Sequence, residues 1–395
     1  MFYGLDVHKD FFQVCALAED GQKRRDYRVG GHADAIDAFG QGLARTDQVA
    51  LEATFHSWAI VQILRRYVDR VVVADPAQLK AIANARIKTD KVDAHILAQL
   101  LRMDFLPEVE LPAAETWAVR QLMAHRNQLR RQSVATKNTI HAVLNRSLLR
   151  YPGSFLFTEK GFRWLAELAL PPAERMVLDH QTALLREVQA RLAAVDQALV
   201  EQARLYADAK LLVTIPGVDV VVAMGFLAAI GSIERFPSPQ KLAAYFGLVP
   251  RVRQSATTCY YGHITKAGSR NARWLAIEAA HTIARSSSPL AATYLRIRRR
   301  KGHQIAVTAL ARKLVVVVWH LLTTQQPYRY AAPTRTREKL RRLQKDERPP
   351  AARAPRTLDE VYAEAGFALT PPEAGEKRAA KRSRAALTRM RNEIN

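Results

Sequence analysis

Within the first 103 residues, short apolar runs and helix-period segments follow one another in an order that few folds can accommodate. Phe2 to Asp6 is a short apolar run and Phe11 to Ala18 a second, and Glu19-Asp20-Gly21-Gln22 supplies a turn before a third strand near Lys23 to Val29. This is a three-strand meander. A helix through the thirties follows, then the strand Val49-Ala50-Leu51-Glu52, a helix around Trp58 to Tyr67, the strand Arg70 to Ala74, and a last helix. In that last segment Ile96, Leu97, Leu100 and Leu101 recur at helical spacing, so Asp90 and Asp93 project from one face at the helix start.

The order β-β-β-α-β-α-β-α is the ribonuclease H-like arrangement, and it sets the expected fold of residues 1–106 as α/β. Asp6 ends the first strand and Glu52 the fourth, which are neighbours in such a sheet, while Asp90 and Asp93 arrive from the last helix. Four carboxylates meeting at one point repel unless a cation neutralises them, and an oxygen-rich set suits Mg²⁺. Each acid alone has a plainer role. Asp6 can start a turn, Glu52 can be a surface residue, and Asp90 and Asp93 can cap backbone N–H groups and complement the helix dipole. Their joint placement at matching element ends is what points to a metal site.

Charge narrows the partners. The 60 Lys+Arg against 37 Asp+Glu give +23 and a pI near 10.3, which favours a polyanion, nucleic acid first. The cations are spread through every segment instead of forming one amphipathic face, which weighs against an anionic membrane surface. There is no uninterrupted apolar run of about 18 residues, and the amino terminus lacks the basic-then-apolar layout of a signal peptide. Cys15 and Cys259 make no disulfide framework, and no Cys/His cluster has zinc-ligand spacing. A cytoplasmic location with no membrane partner is the expectation.

From Pro107 to Pro112 the chain breaks into a linker, and residues 107–210 read as a basic helical and coiled-coil region. Thr116 to about Arg150 is helical, and its Arg120, Arg130 and Lys137 are candidates for phosphate contact, with a solvated helix face as the competing account. After Pro171-Pro172, Leu178, Leu185, Leu192 and Leu199 repeat every seven residues, with Val188 and Val195 completing a coiled-coil seam. That seam fits an internal hairpin or a contact between subunits.

At Ile215-Pro216-Gly217-Val218 a third, helical domain begins, spanning 211–325. Val221 to Ile230 and Pro239 to Phe246 form a helix pair resembling helix-hairpin-helix elements. A polar, aromatic and basic loop follows, with Ser255 flanked by Arg251 and Arg253 and with Lys266 and Arg270 downstream. By composition alone Ser255 is a turn or cap residue. Apolar helices at Arg273 to Arg285 and Gln304 to Thr323 close the core, with the basic run Arg296 to Lys301 between them. Residues 326–395 hold 17 Lys+Arg and 9 Asp+Glu with repeated Pro and Ala, and read as a basic tail, disordered or partly helical.

Taken together, Gly4-Leu5-Asp6-Val7-His8-Lys9, Leu51-Glu52-Ala53-Thr54, Lys88-Thr89-Asp90-Lys91-Val92-Asp93-Ala94, Lys137-Asn138, Ile215-Pro216-Gly217, Gly247-Leu248-Val249-Pro250, Gln254-Ser255 and Tyr261-Gly262-His263-Ile264-Thr265-Lys266 resemble the IS110 insertion-sequence transposases, the group related to the Piv DNA invertase. The resemblance runs from Met1 to about Thr323 and leaves the tail outside it. It implies a RuvC-like amino-terminal domain whose DEDD set falls on Asp6, Glu52, Asp90 and Asp93. It also implies a carboxy-terminal transposase domain whose serine nucleophile falls on Ser255. It further implies action as a homo-oligomer, dimer or tetramer, on element ends and target DNA, guided by a bridge RNA. Ala256 departs from the Gly that commonly follows the serine, and a stiffer loop is expected there.

The chemistry so implied is strand cleavage and rejoining, with Ser255 activated by the Mg²⁺ site and Arg251, Arg253 and Lys266 as a phosphate clamp. The alternative is a Mg²⁺-dependent RuvC-like resolvase or nuclease in which the acids activate water and Ser255 is structural. An actin-like ATPase or sugar kinase, which also begins Gly-Leu-Asp, needs further Gly-rich phosphate loops that the chain lacks. A non-catalytic nucleic-acid-binding scaffold is the remaining reading.

Overall fold

The structure, a computed structural model, describes residues 1–83, 89–255, 257–344, 357–369 and 374–392, in two compact units, Met1–Pro112 and Ala113–Asn395. Lys88 of the acidic motif and Ala256 after the serine lie outside the described residues, as do parts of the tail.

Unit 1 contains β1 (Phe2–Val7), β2 (Phe11–Leu17), β3 (Lys23–Gly30), α1 (Ala33–Gln41), β4 (Gln48–Glu52), α2 (Ser57–Leu64), β5 (Arg70–Ala74), α3 (Pro76–Ile82) and α4 (Asp90–Arg102). The sheet order is β3-β2-β1-β4-β5, antiparallel through β3, β2 and β1 and parallel from β1 through β4 to β5. Alternate residues of the central strands feed two faces. Tyr3, Leu5, Val49 and Leu51 pack in one cluster with Ile36 of α1 and Ile60, Val61 and Leu64 of α2. Ala50, Val72 and Ala74 pack on the other face with Leu97 and Leu101 of α4, and Cys15 and Leu17 with Ala94 and Ala98.

Gly4 lies on this second face, and the reason is steric. A Cβ built on Gly4 would fall 2.0 Å from Ala94 O and 2.6 Å from Ala98 N, so only glycine lets the α4 backbone lie this close to β1. The expected linker is partly engaged: Val109 N–H donates to Val73 O at 2.7 Å, and Ala74 bridges to Glu108 along the β5 edge.

Unit 2 is helical apart from one hairpin. It runs through α5 (Ala114–Arg146), α6 (Glu159–Glu167), α7 (Pro172–Arg204), α8 (Ala207–Leu212), α9 (Val220–Ile230), a 3₁₀ turn at Ile233–Arg235, α10 (Pro239–Tyr245), β6 (Pro250–Ser255), β7 (Thr258–Ile264), α11 (Arg270–Arg285), α12 (Leu290–Thr324), α13 (Pro333–Gln344), α14 (Leu358–Glu364) and α15 (Ala374–Asn392). The two 33-residue helices α5 and α7 pair with one another, so the heptad seam closes within the chain. Leu178 and Leu185 meet Ile140, Val143 and Leu144, while Val188, Val195 and Leu199 join the cluster holding Val119, Met123 and Leu129. The start of α7 thus meets the end of α5 and its end meets the start of α5, an antiparallel pairing reached through a connection that carries α6.

Beside α5 and α7 the core is built on α9, buried along most of its length, and on α11 and α12. The α12 segment Leu290–Thr324 is long and apolar enough to cross a membrane by composition, yet half of its apolar window is buried inside this core.

One expectation is corrected here and one is narrowed. The segment around Ser255 is a two-stranded hairpin instead of a loop. It was hidden because both faces of the ribbon are exposed, so no apolar alternation marks it. The tail, expected to be disordered or partly helical, forms α13, α14 and α15 among its described residues, and Leu340, Leu343, Val361, Tyr362 and Leu387 are buried in the same core as α9 and α12. Sparse apolar residues separated by Pro and charge gave no periodic signal, although each fills a position in the core.

Candidate active site

The first strand delivers Asp6 to the α4 face of the sheet. Asp6 is two residues beyond Gly4, and Glu52 is two residues beyond Ala50, the parallel partner of Gly4. Side chains two apart share a face, so Asp6 and Glu52 end neighbouring strands on the side that α4 covers. The start of α4 carries Asp90 and Asp93 in its first turn. The cap itself is Thr89, whose Oγ1 accepts from Val92 N–H at 3.3 Å, which releases Asp90 from capping.

The Asp90 carboxylate instead lies beside His8. His8 Nε2 is 3.1 Å from Asp6 Oδ2 and 3.4 Å from Asp90 Oδ1. One ligand atom from each of Asp6, His8 and Asp90 falls within 4.8 Å of the others, the three-residue group among the described residues able to hold a metal ion. Two carboxylate charges at that separation repel by roughly 3 kcal/mol at an effective dielectric of about 20, so the arrangement calls for a cation between them. The Asp6 carboxyl is pushed above its usual range, first by burial, with the charges of Asp93 and Asp90 adding to it and His8 opposing. Asp93 therefore lies within electrostatic reach of Asp6.

His8 is the residue that sequence reasoning did not single out. Its position two residues after Asp6, in the turn where His8 N–H donates to Phe11 O at 3.0 Å, is the signal that could have found it. Its ring packs 4.9 Å from that of Phe11, and this holds it over the strand end. The donor chemistry fits a divalent cation: carboxylate oxygens are hard ligands, and imidazole nitrogen adds a position suited to Mn²⁺ or other transition ions as well.

Ser255 closes β6, opposite Thr258 at the tip of the hairpin. Arg253 lies two residues before it and pairs with Tyr260, so Ser255, Thr258, Arg253 and Tyr260 share one face. The base of the hairpin is pinned. Gly247 takes φ +67°, and a Cβ there would fall 2.3 Å from Ala267 O. Thr265 N–H donates to Val249 O at 2.8 Å, and Arg273 Nη1 donates to Ala267 O at 3.1 Å. The Arg273 guanidinium is pulled below its usual range by burial and by Arg270, so this base carries concentrated positive charge. Lys266 (φ +56°) and Arg270 are exposed there, and Arg251 reaches Thr265 O at 3.5 Å.

The α5 candidates divide. Arg120 is half-buried and its Nε donates to Ala228 O at 2.6 Å, closing the carboxy-terminal end of α9 instead of facing a phosphate. Arg130 is exposed but stacked over Trp274, 4.1 Å from the ring centroid, and Lys137 lies 5.0 Å from the centre of Phe157.

Two family models match the chain. One described as "Transposase IS116/IS110/IS902 family" covers residues 209–296, and one described as "Transposase", of the DEDD IS110 type, covers residues 3–148. The second goes with use of a divalent metal, for which the cluster around Asp6 is the candidate. Among curated relatives, a Sinorhizobium fredii protein named as transposase y4qE is 31% identical over 71% of each chain. The transposase for insertion sequence element IS1111A of Coxiella burnetii is 26% identical over 83% of this chain and 91% of its own. The pilin gene-inverting protein of Moraxella bovis is 23% identical over 83% and 97%. With both models in place on the units just described and a relative of this identity and coverage, the chain belongs to the IS110/IS116/IS902 family of transposases, enzymes of DNA strand cleavage and rejoining.

Proposed function

We propose that the chain excises and joins insertion-sequence DNA with Ser255 as nucleophile and a Mg²⁺ site built from Asp6, Glu52, Asp90 and Asp93. The observation that carries this reading is the convergence of Asp6 and Asp90 within 4.8 Å at the ends of β1 and of the loop into α4. A divalent metal held by these carboxylates would supply charge neutralisation to the scissile phosphate and would favour deprotonation of the attacking hydroxyl. Ser255 Oγ attacks the phosphorus, an Oγ–P bond forms, and the P–O bond to the departing strand breaks, leaving a hydroxyl that takes up a proton. Attack by a second strand's hydroxyl reverses the step and frees the serine, so bond energy is kept without ATP. Arg253, on the serine's own face, holds the phosphate, with Lys266 and Arg270 at the hairpin base.

Ser255 and the carboxylates belong to different units, so catalysis requires assembly of the two, within one chain or between protomers of a dimer or tetramer. The family resemblance and the excess of positive charge support guidance by a bridge RNA that pairs with element ends and target. The test is a reconstituted reaction with RNA copurified from the host, element ends and target DNA. Ser255→Ala is expected to abolish cleavage and Asp6→Ala to abolish it while binding persists. Undiminished cleavage by Ser255→Ala would transfer the reading to a water-activating nuclease.

A further inference from the structure

α12 breaks at Gly302 (φ +80°, ψ +175°), so its first half ends in Arg296, Arg298, Arg299, Arg300 and Lys301. Cations at the end of a helix are partly held by its terminal carbonyls, and that alone is an ordinary arrangement. What is not ordinary is what packs beside it. α15 docks on α12 through Leu387, 4% exposed, and Met390, and Arg384 stacks over Tyr330 at 5.7 Å. From Lys377 to Asn392 the chain has seven Lys or Arg and no acidic residue.

Between the two helices runs an open groove of about 500 Å³. Its cationic walls are Arg299, Lys381, Arg382 and Arg389, and its floor is Ala385, Ala386 and Met390. Lys381, Arg382, Ala385 and Arg389 follow the i, i+1, i+4, i+8 stripe of one helix face, and all four are exposed. Among the described residues no acid lines the groove. A merely solubilising tail would keep its charges dispersed in water. Here the burial of Leu387 fixes Lys381, Arg382 and Arg389 side by side near the basic end of the first half of α12, a concentration of like charge that suits a polyanion.

The geometry points to a track for the phosphodiester backbone of one nucleic-acid strand, bound between α12 and α15 without base readout. Small apolar floor residues accept sugar faces, the cations on both rims meet phosphates, and among the described residues no aromatic lines the groove to stack on a base. This track deepens the recombinase reading and rests on it. It lies beyond both family-model matches, which end at residues 148 and 296, with Arg299 three residues past the second.

The test uses the full chain carrying Lys381→Gln, Arg382→Gln and Arg389→Gln together. Binding to a random-sequence DNA duplex and to a random-sequence single-stranded RNA is measured against salt concentration. Each lost phosphate contact removes about 0.9 from the slope of log affinity against log salt on duplex and about 0.7 on a single strand, so a fall of about 2 to 3 is expected. Loss on both nucleic acids, or on one, supports the track and names its strand; an unchanged slope on both overturns it. The charge-keeping triple Lys381→Arg, Arg382→Lys and Arg389→Lys is expected to keep the slope, and its loss there too would assign the effect to misfolding and refute the track. Wild-type protein that binds but never cleaves or rejoins DNA would refute the recombinase reading instead, with the groove intact.

Discussion

At the residue scale the site is held in tension. Asp6 is 17% exposed, repelled by Asp90 and Asp93, and relieved on one side by His8. Because its carboxyl is displaced upward, the charged form costs the folded state stability at neutral pH; a neutral isostere removes that cost. Asp6→Asn is therefore expected to raise the melting temperature in chelator by a few degrees while lowering strand cleavage at least ~100-fold, the loss of several kcal/mol of charge stabilisation. Thermal melts with and without divalent metal, beside a cleavage assay, measure both. A lower melting temperature would contradict the assignment of strain to Asp6.

The acids at the ends of β1 and β4 were legible in the sequence because strand ends are marked by the apolar runs before them. The imidazole that lies between Asp6 and Asp90 was not. A histidine two residues past a strand end has no periodicity to report where its ring turns, and only the fold brings Asp90 to it.

At the scale of elements, α4 is placed by what Gly4 lacks. Gly4→Ala puts a methyl against Ala94 O and Ala98 N, backbone atoms that cannot step aside, and the overpacking is expected to cost about 3 kcal/mol or more. Denaturant melts of unit 1 and the cleavage rate should fall together. Thr89→Ala separates the two effects: loss of the cap costs ~1 kcal/mol and frays the turn bearing Asp90 and Asp93, so activity is expected to fall much further than stability. Equal activity in Thr89→Ala would show that the first turn of α4 is not needed in order.

Apart from the short helix α3, the order of strands and helices in unit 1 could be read because β1, β2, β4 and β5 carry buried apolar runs, while β3, only partly buried, is marked by the turn before it. The hairpin bearing Ser255 could not, since a ribbon exposed on both faces is stabilised by cross-strand pairs such as Val252 with Tyr261 and Arg253 with Tyr260, which single-chain periodicity does not display.

On the scale of the whole molecule, the described parts of the basic tail contribute to the second unit's core. Lys339 of α13 donates to Ile215 O and Val218 O, both at 2.9 Å, and thereby ties the tail to the turn where the transposase domain opens. Burial pulls its ammonium down to about 8. Tyr328 hydrogen-bonds Ser288 at 2.6 Å, and burial pushes its hydroxyl up to about 12.

The signs of the two groups differ. Lys339, with a folded pKa below that of the unfolded chain, adds stability as pH rises from about 8 to the usual lysine value; Tyr328, with a folded pKa above, loses it from about 10 to 12. Unit 2 is expected to be most stable near pH 10 and to unfold steeply above it. In Tyr328→Phe the alkaline loss should shrink by ~3 kcal/mol at most, the linkage for a shift of about two units, as read from denaturant melts across this range. An identical alkaline limb in the variant would refute the burial of that hydroxyl.

The account turns on a serine and a metal site acting on one phosphate, and it is tested most directly by trapping the reaction midway. Wild-type protein, its RNA, divalent metal and element-end DNA should be quenched during turnover, and the protein–DNA adduct mapped by peptide mass. The account predicts a phosphodiester on Ser255 that requires the metal and is absent from Ser255→Ala and Asp6→Asn. Cleaved DNA with no covalent adduct, formed as fast by Ser255→Ala as by the wild type, would contradict it.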